Sequence, residues 1–186
     1  PIYVDSPMAL ESLHLYRKAV ARKDVEIRNE FVDKNFNRDP FDTFTLNEIK
    51  SVEDSKSINE PKNSCIIISA SGMATGGRVV HHLKHMLPNP LHTILLVGYQ
   101  AIGTRGHALV NGAEQIKMHG QMVDVKAEIS KVEGFSVHAD GTELIDWFKK
   151  GQKPGKVFIV HGETESAEIF AQRLEIELNW HPIIPK

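Results

Sequence analysis

The sequence predicts an α/β fold built on a mainly parallel, helix-covered sheet. Three observations predict it. Strand-like and helix-like segments alternate along most of the chain, the order that builds parallel sheets. Two strand segments, 65–68 (Cys-Ile-Ile-Ile) and 93–97 (Thr-Ile-Leu-Leu-Val), are near-continuous apolar runs, expected where a strand is buried on both faces. Three strand segments end in unusual residues, at 69–77, 98–106 and 161–163, and in open α/β sheets ligands bind at the carboxyl ends of strands.

Each element has its own signal. Residues 2–4 (Ile-Tyr-Val) read as a short strand. Ser6 is placed to cap a helix with Pro7 at its first position, and Leu10, Leu13, Tyr16 (or Leu15) and Val20 recur at helical spacing. From Arg22 to about Lys50 the periodicity weakens, with Phe31, Phe36, Phe41 and Phe44 scattered among polar residues. Four aromatic rings need cover, so this stretch reads as an irregular, partly packed segment. Ser51 caps a short helix running to about Asn59. The strand 65–68 leads through Ser-Ala-Ser-Gly-Met-Ala-Thr-Gly-Gly into a helix from about Gly77 to Leu87, which Pro88 and Pro90 stop. The strand 93–97 opens into a loop at 98–106. Gly120 and Gln121 make a turn into a strand at 122–130, where Val123, Val125, Ala127 and Ile129 alternate with polar residues. A helix to about Lys150, a strand at 157–160, a helix at about 166–178 and a short apolar segment at 182–184 complete the chain.

The composition narrows the function classes. A chain of 186 residues holds one good core, or one domain and part of another. Hydrophobic residues at 41% and charged residues at 25% are those of a folded soluble protein. No apolar run approaches the ~18 residues of a membrane span, so no membrane partner is expected. No signal peptide is visible, and the first residues already read as part of a strand. Cys65 is the single cysteine, which excludes a disulfide framework and fits a cytoplasmic setting. A net charge of −2 and a pI near 6.6 exclude a broad basic surface for nucleic acid. A polyanion would have to be met at a local site.

Four features are candidates for that chemistry. The turn at 69–77, with Ser69, Ser71 and Gly72, puts small residues before a helix, where amides and the helix dipole can meet an anion. It is neither the dinucleotide fingerprint nor the nucleotide-hydrolase phosphate loop, since no Gly-Lys-Ser/Thr follows. Its plain alternative is a tight strand-to-helix turn. His81 and His85 are one helical turn apart, yet no matching Glu or third ligand accompanies them, so the reading as solvated helix positions prevails. His14, His92, His107, His119 and His181 are read the same way. His138 and His161 differ, because each follows a strand-like stretch where a new element begins, with one helix and one strand between them. Neutral imidazole suits zinc, and its ordinary pKa suits proton transfer. Ordinary turn histidines remain the alternative.

At these residues a family resemblance enters. Residues 135–140 (Phe-Ser-Val-His-Ala-Asp) followed by 160–163 (Val-His-Gly-Glu) resemble the closing motifs of the β-CASP family, nucleases of the metallo-β-lactamase fold that include the nuclease subunit of the cleavage and polyadenylation specificity factor. Upstream, 2–9 (Ile-Tyr-Val-Asp-Ser-Pro-Met-Ala), 51–56, 69–78 and 97–100 are similar to the bacterial branch, in the same order. The resemblance implies a metallo-β-lactamase domain that binds two zinc ions, with a β-CASP domain inserted to cap its active site. It implies that 1–133 is most of the β-CASP domain and 134–186 the returning C-terminal segment of the metallo-β-lactamase domain. His161 matches a metal ligand. His138 matches a histidine that donates a proton near the scissile phosphate, the zinc pair having activated the attacking water. Ser69, Ser71, Gly72, Arg105 and Ser136 are the candidates for holding RNA phosphates. The family's His-x-His-x-Asp-His motif does not occur in this chain, and one histidine cannot make a zinc site that needs three protein ligands. The resemblance therefore implies a C-terminal part of a zinc-dependent ribonuclease, inactive without its N-terminal half. Its partners would be RNA, that missing half and, in some forms, a second copy as a homodimer. A non-catalytic RNA-binding or scaffold subunit with a decayed metal site, and a small-molecule metallo-hydrolase, are the alternatives.

Overall fold

A computed structural model describes residues 1–25, 27–28, 41, 43, 45–135 and 138–185. The chain divides into two compact units, Pro1–Ser136 and Val137–Lys186. Most of the aromatic-rich stretch expected to form a packed cover falls outside the described residues. Within it, Phe41 lies 5.8 Å from Tyr16, ring centre to ring centre.

The first unit opens with β1 (Ile2–Asp5) and α1 (Pro7–Arg22). Ser6 caps α1 as the sequence predicts, its side chain accepting from the Ala9 amide, with Pro7 in the first turn. β2 (Leu46–Glu48) and β3 (Ile66–Ser69) flank β1, giving a parallel sheet in the order β2-β1-β3. β2 went unseen in the sequence because three residues carry too little alternation. Its Glu48 carboxylate binds α1 to the sheet through Arg17 at 2.7 Å and His14 at 3.3 Å. The short α2 (Val52–Ser57) begins at the predicted Ser51 cap, whose side chain accepts from the Asp54 amide.

α3 (Arg78–Met86) follows the 69–77 turn and packs with β4 (Thr93–Val97), α4 (Arg105–Val110), β5 (Gln115–Met118), β6 (Gln121–Asp124) and β7 (Glu128–Val132). Val80, Leu83, Leu87, Leu96, Leu109, Ile116 and Met118 centre their shared core. β4 pairs with β7 in parallel, and β5 with β6 as an antiparallel hairpin turning at His119-Gly120. Fold class is therefore mixed α/β with parallel sheets, as predicted.

Two finer expectations are corrected. The single strand at 122–130 is two strands in two sheets. Between them the amides of Lys126 and Ala127 both donate to the Leu87 carbonyl, at 2.8 and 2.9 Å, and the chain changes partners there. Val123, Val125, Ala127 and Ile129 still face one core, so their alternation reported a shared interior rather than a continuous strand. The apolar runs of β3 and β4 are not buried on both faces either. Ile66 is 58% exposed, Ile68 48%, Leu95 55% and Val97 48%, while alternate residues face inward. Within these residues, each strand has one covered face.

The second unit holds α5 (Gly141–Lys149) and α6 (Thr164–Leu178). Asp140 caps α5 in a full capping box with Glu143. Ile145, Leu174 and Trp180 form its core, with Phe148, Val157, Ile159 and Phe170 around them. The predicted strand at 157–160 is reduced to one parallel bridge, Phe158 with Ile183, flanked by the Ile159 amide on the Ile183 carbonyl and the Ile183 amide on the Val157 carbonyl.

Candidate RNA-binding and catalytic residues

The first unit brings two of the three predicted strand-end loops together. β3 ends at Ser69, whose hydroxyl donates to the Asp5 carbonyl at 2.9 Å. In the turn beyond it, the Ser71 hydroxyl lies 2.9 Å from the Thr75 hydroxyl and accepts from the Thr75 amide at 3.1 Å. Gly77 has φ +78, and a Cβ there would stand 2.7 Å from the Ala70 carbonyl oxygen, so only glycine closes the turn onto α3. The loop after β4 lies alongside. Gln100 donates to the Gly72 carbonyl at 3.1 Å, and the Gly106 amide donates to the Met73 carbonyl at 3.0 Å. A side chain on Gly106 would strike the buried Gln100 amide. The turn's Ser71, Ala74 and Thr75 amides are used internally. Those of Gly72, Met73, Gly76 and Gly77 have no acceptor among the described residues.

Arg105 sits at the start of α4, a helix that the sequence did not betray. Its Nε donates to the Lys117 carbonyl at 2.8 Å and its Nη1 to the carbonyls of Ala74 and Thr75 at 3.1 and 3.2 Å. The guanidinium thus fixes the 69–77 turn to β5 and leaves Nη2 without an acceptor among the described residues.

Beneath the turn lies a polar network that sequence reading missed. Asp5 is fully buried, and Ser55, Arg78 and His82 all donate to its carboxylate. His82 spans from Asp5 Oδ2 at 2.6 Å to Asn59 Oδ1 at 2.7 Å. Burial alone would push the Asp5 carboxyl up, but the three hydrogen bonds and the Arg78 charge outweigh it and hold the pKa below the ordinary value. The other donors of Arg78 reach the carbonyls of Ile49 and Lys50. The network joins β1, α2 and α3 behind the turn, and a strand-end Asp followed by a capping Ser was the one signal that could have suggested it. His81, facing away, stacks on His119 with ring centres 4.4 Å apart. Partial desolvation, then the neighbouring His119, His82, His85 and Lys84, hold the His81 pKa below the ordinary imidazole value. The zinc-like spacing of His81 and His85 brings no shared site, since His85 turns to Glu60 at 4.0 Å.

In the second unit, His138 is exposed in a bend just before the α5 cap, and His161 is exposed just after the bridge at Phe158. His161 has φ +66, a left-handed conformation that a β-carbon disfavours and that clusters at functional sites. Ser136 lies outside the described residues. Among the described residues no group of three or more His, Cys, Asp or Glu side chains is arranged to hold a metal ion. His161 offers one imidazole, so the described residues alone do not fit a zinc site. No described helix is long and apolar enough to cross a membrane.

The class this defines is a mixed α/β protein in which parallel strands of the first unit deliver small-residue loops to their carboxyl ends, and the second unit carries two exposed histidines. Residues 1–109 match the family profile of the Beta-Casp domain, and residues 122–185 match that of the Zn-dependent metallo-hydrolase RNA specificity domain. β7, inside the second match, pairs with β4, inside the first. The chain belongs to the β-CASP family of metallo-β-lactamase-fold RNA-processing nucleases. It is 36% identical over 165 residues to Ribonuclease TTHA0252 of Thermus thermophilus, across 89% of this chain and 37% of that protein. It is 34% identical over 185 residues to an RNase J-like protein of Methanocaldococcus jannaschii, across 100% of this chain and 41% of that protein. The Transcription termination factor FttA of the same organism is 29% identical, across 92% of this chain and 27% of its own length. The chain thus spans about two fifths of the first two relatives.

Proposed function

We propose that this chain is the C-terminal part of a cytoplasmic, zinc-dependent ribonuclease that hydrolyses RNA phosphodiester bonds. Residues 1–133 form most of the β-CASP domain, which caps the active site and grips RNA. Residues 134–186 return to the metallo-β-lactamase domain. The observation that carries this reading is His161, an exposed histidine held in left-handed backbone just after the Phe158 bridge, inside the segment that matches the RNA specificity domain. Two zinc ions belong to the intact protein, with most of their ligands supplied from outside this chain and His161 contributing one imidazole. His138 is the proton donor to the leaving oxygen, the job suited to an exposed imidazole. Ser69, Ser71, Gly72, Arg105 and Ser136 hold RNA phosphates, with the unpaired turn amides as further donors. The test is single-turnover cleavage of a labelled RNA by the whole protein, with and without chelator. Cleavage that needs bound metal is expected. A metal-loaded protein that leaves RNA intact would overturn the proposal in favour of an RNA-binding subunit.

A further inference from the structure

A cavity of about 560 Å³ opens beside the 69–77 turn, and no motif in the sequence announces it. Thr75, Gly76 and Gly77 form one wall, α3 with His81 another, and the β5–β6 hairpin with Lys117 and His119 a third. No Asp or Glu lines it, in a chain that is acidic overall. The charge of Arg105 meets only neutral carbonyls, and neither Arg105 nor Lys117 is paired with a carboxylate among the described residues. The Gly76 and Gly77 amides, which have no acceptor among the described residues, belong to the same wall. The stacked imidazoles of His81 and His119 lie exposed across from them. Amide donors, two unneutralised cations and a pair of imidazoles around one cavity suit a phosphodiester oxyanion. The walls are preset, because one guanidinium already ties the turn to the hairpin.

We propose that this cavity is a second phosphate subsite for single-stranded RNA, continuous with the 69–77 turn and formed by Gly76, Gly77, Arg105, Lys117, His81 and His119. The proposal rests on the RNA-processing reading above. Thr75–Gly77 belong to both the turn and the cavity, so one strand can pass from one to the other without leaving the surface. Single-stranded nucleic acid is held by such tracks of cations along its backbone.

The test is equilibrium binding of a phosphorothioate oligoribonucleotide to the whole protein, across a series of salt concentrations. The variants are Lys117→Ala, Lys117→Arg and Lys117→Ala/His119→Asn. Asn accepts the left-handed backbone of His119, and Lys117 is exposed on β5, so each variant should keep the parent's melting temperature. The double variant should bind roughly 10-fold more weakly, and its slope of log K against log salt should fall by about 0.7 for every phosphate it no longer holds. Lys117→Ala alone should show about one such step, and Lys117→Arg should match the parent. Inorganic phosphate at the same phosphate concentration should fail to displace the RNA. Wild-type binding with an unchanged Kd and slope in the variants would overturn the subsite and leave the RNA reading standing. Displacement by inorganic phosphate would make the cavity a free-phosphate site and overturn its assignment to RNA. A wild-type protein that binds no RNA would overturn the RNA reading itself.

Discussion

Asp5 and the histidines separate what one residue can announce from what it cannot. Asp5 reads in sequence as a strand end before a helix cap, yet it is the buried centre of a polar network of side chains. His82 was passed over for His81 and His85, because burial on a short helix depends on which face meets the sheet, and two adjacent histidines look alike in a sequence. Removing the carboxylate leaves Arg78 and His82 facing each other without their acceptor. Asp5→Ala should therefore lower the unfolding free energy by about 3 kcal/mol in urea titration. The pH dependence has a definite sign. The folded pKa lies below the ordinary 3.8, so this stabilisation is fully present above that value and lost as pH falls through the folded one. The stability gap between wild type and Asp5→Asn should close in that acid window, and a gap that widens there would contradict the network. His138 and His161, by contrast, stood out through position and motif. In the whole protein, His161→Ala should reduce zinc content along with activity. His138→Ala should keep its zinc and lose roughly 10²–10⁴-fold in single-turnover rate, less on a substrate whose leaving group needs no proton. Elemental analysis beside rapid-quench kinetics separates the two, and the reverse pattern would exchange their roles.

Among the elements, the longer helices were the most legible, whether or not a side chain caps them. Ser6 and Ser51 each bond the amides that their positions predicted, and Asp140, which the sequence reading did not single out as a cap, bonds those of α5. α4 escaped because it is a short helix behind a glycine-rich loop, with Thr104 as its only mark. Strand identity was legible for β1, β3 and β4, and strand partnership was not. The alternation at 123–129 is set by which face meets the core, whereas the change of sheet is set by one carbonyl of Leu87, far away in sequence. The same limit governs β3 and β4, since an apolar run states what a strand can bury, not what is present to cover it. The 69–77 turn is where element geometry becomes testable. Gly77→Ala places a methyl against the Ala70 carbonyl at positive φ and should cost roughly 1–3 kcal/mol, read from urea unfolding. Ser71→Asp leaves that backbone free but sets a carboxylate among the turn amides. It should weaken RNA binding by the whole protein without lowering its melting temperature, and unchanged RNA affinity would move the phosphate site elsewhere.

Over the whole molecule, folding and chemistry part company. Each unit has its own apolar core, around Leu83 and Met118 in the first and around Ile145 and Leu174 in the second. Local periodicity foresaw most of the helices and strands that build those cores, but not which of their residues meet in them. A metal centre is a different kind of object, needing several ligands to converge from separate strands. Among the described residues that convergence does not occur, although the Zn-dependent family profile covers residues 122–185. The chain on its own should therefore fold without holding zinc. Dialysed against buffered zinc at neutral pH, it should retain far less than one ion per chain by elemental analysis. It should leave a labelled RNA intact under conditions where the whole protein cleaves it. Its melting temperature should be indifferent to chelator, since a ligand raises stability only through the native sites it occupies. A lone imidazole binds zinc weakly and exchanges it freely, so tight retention would need ligands gathered from elsewhere on the chain. Two firmly held ions per chain, or a fall in melting temperature on chelation, would show such a gathering. His161 would then be one member of a site complete within these 186 residues, and the assignment of the remaining ligands to another part of the protein would fall.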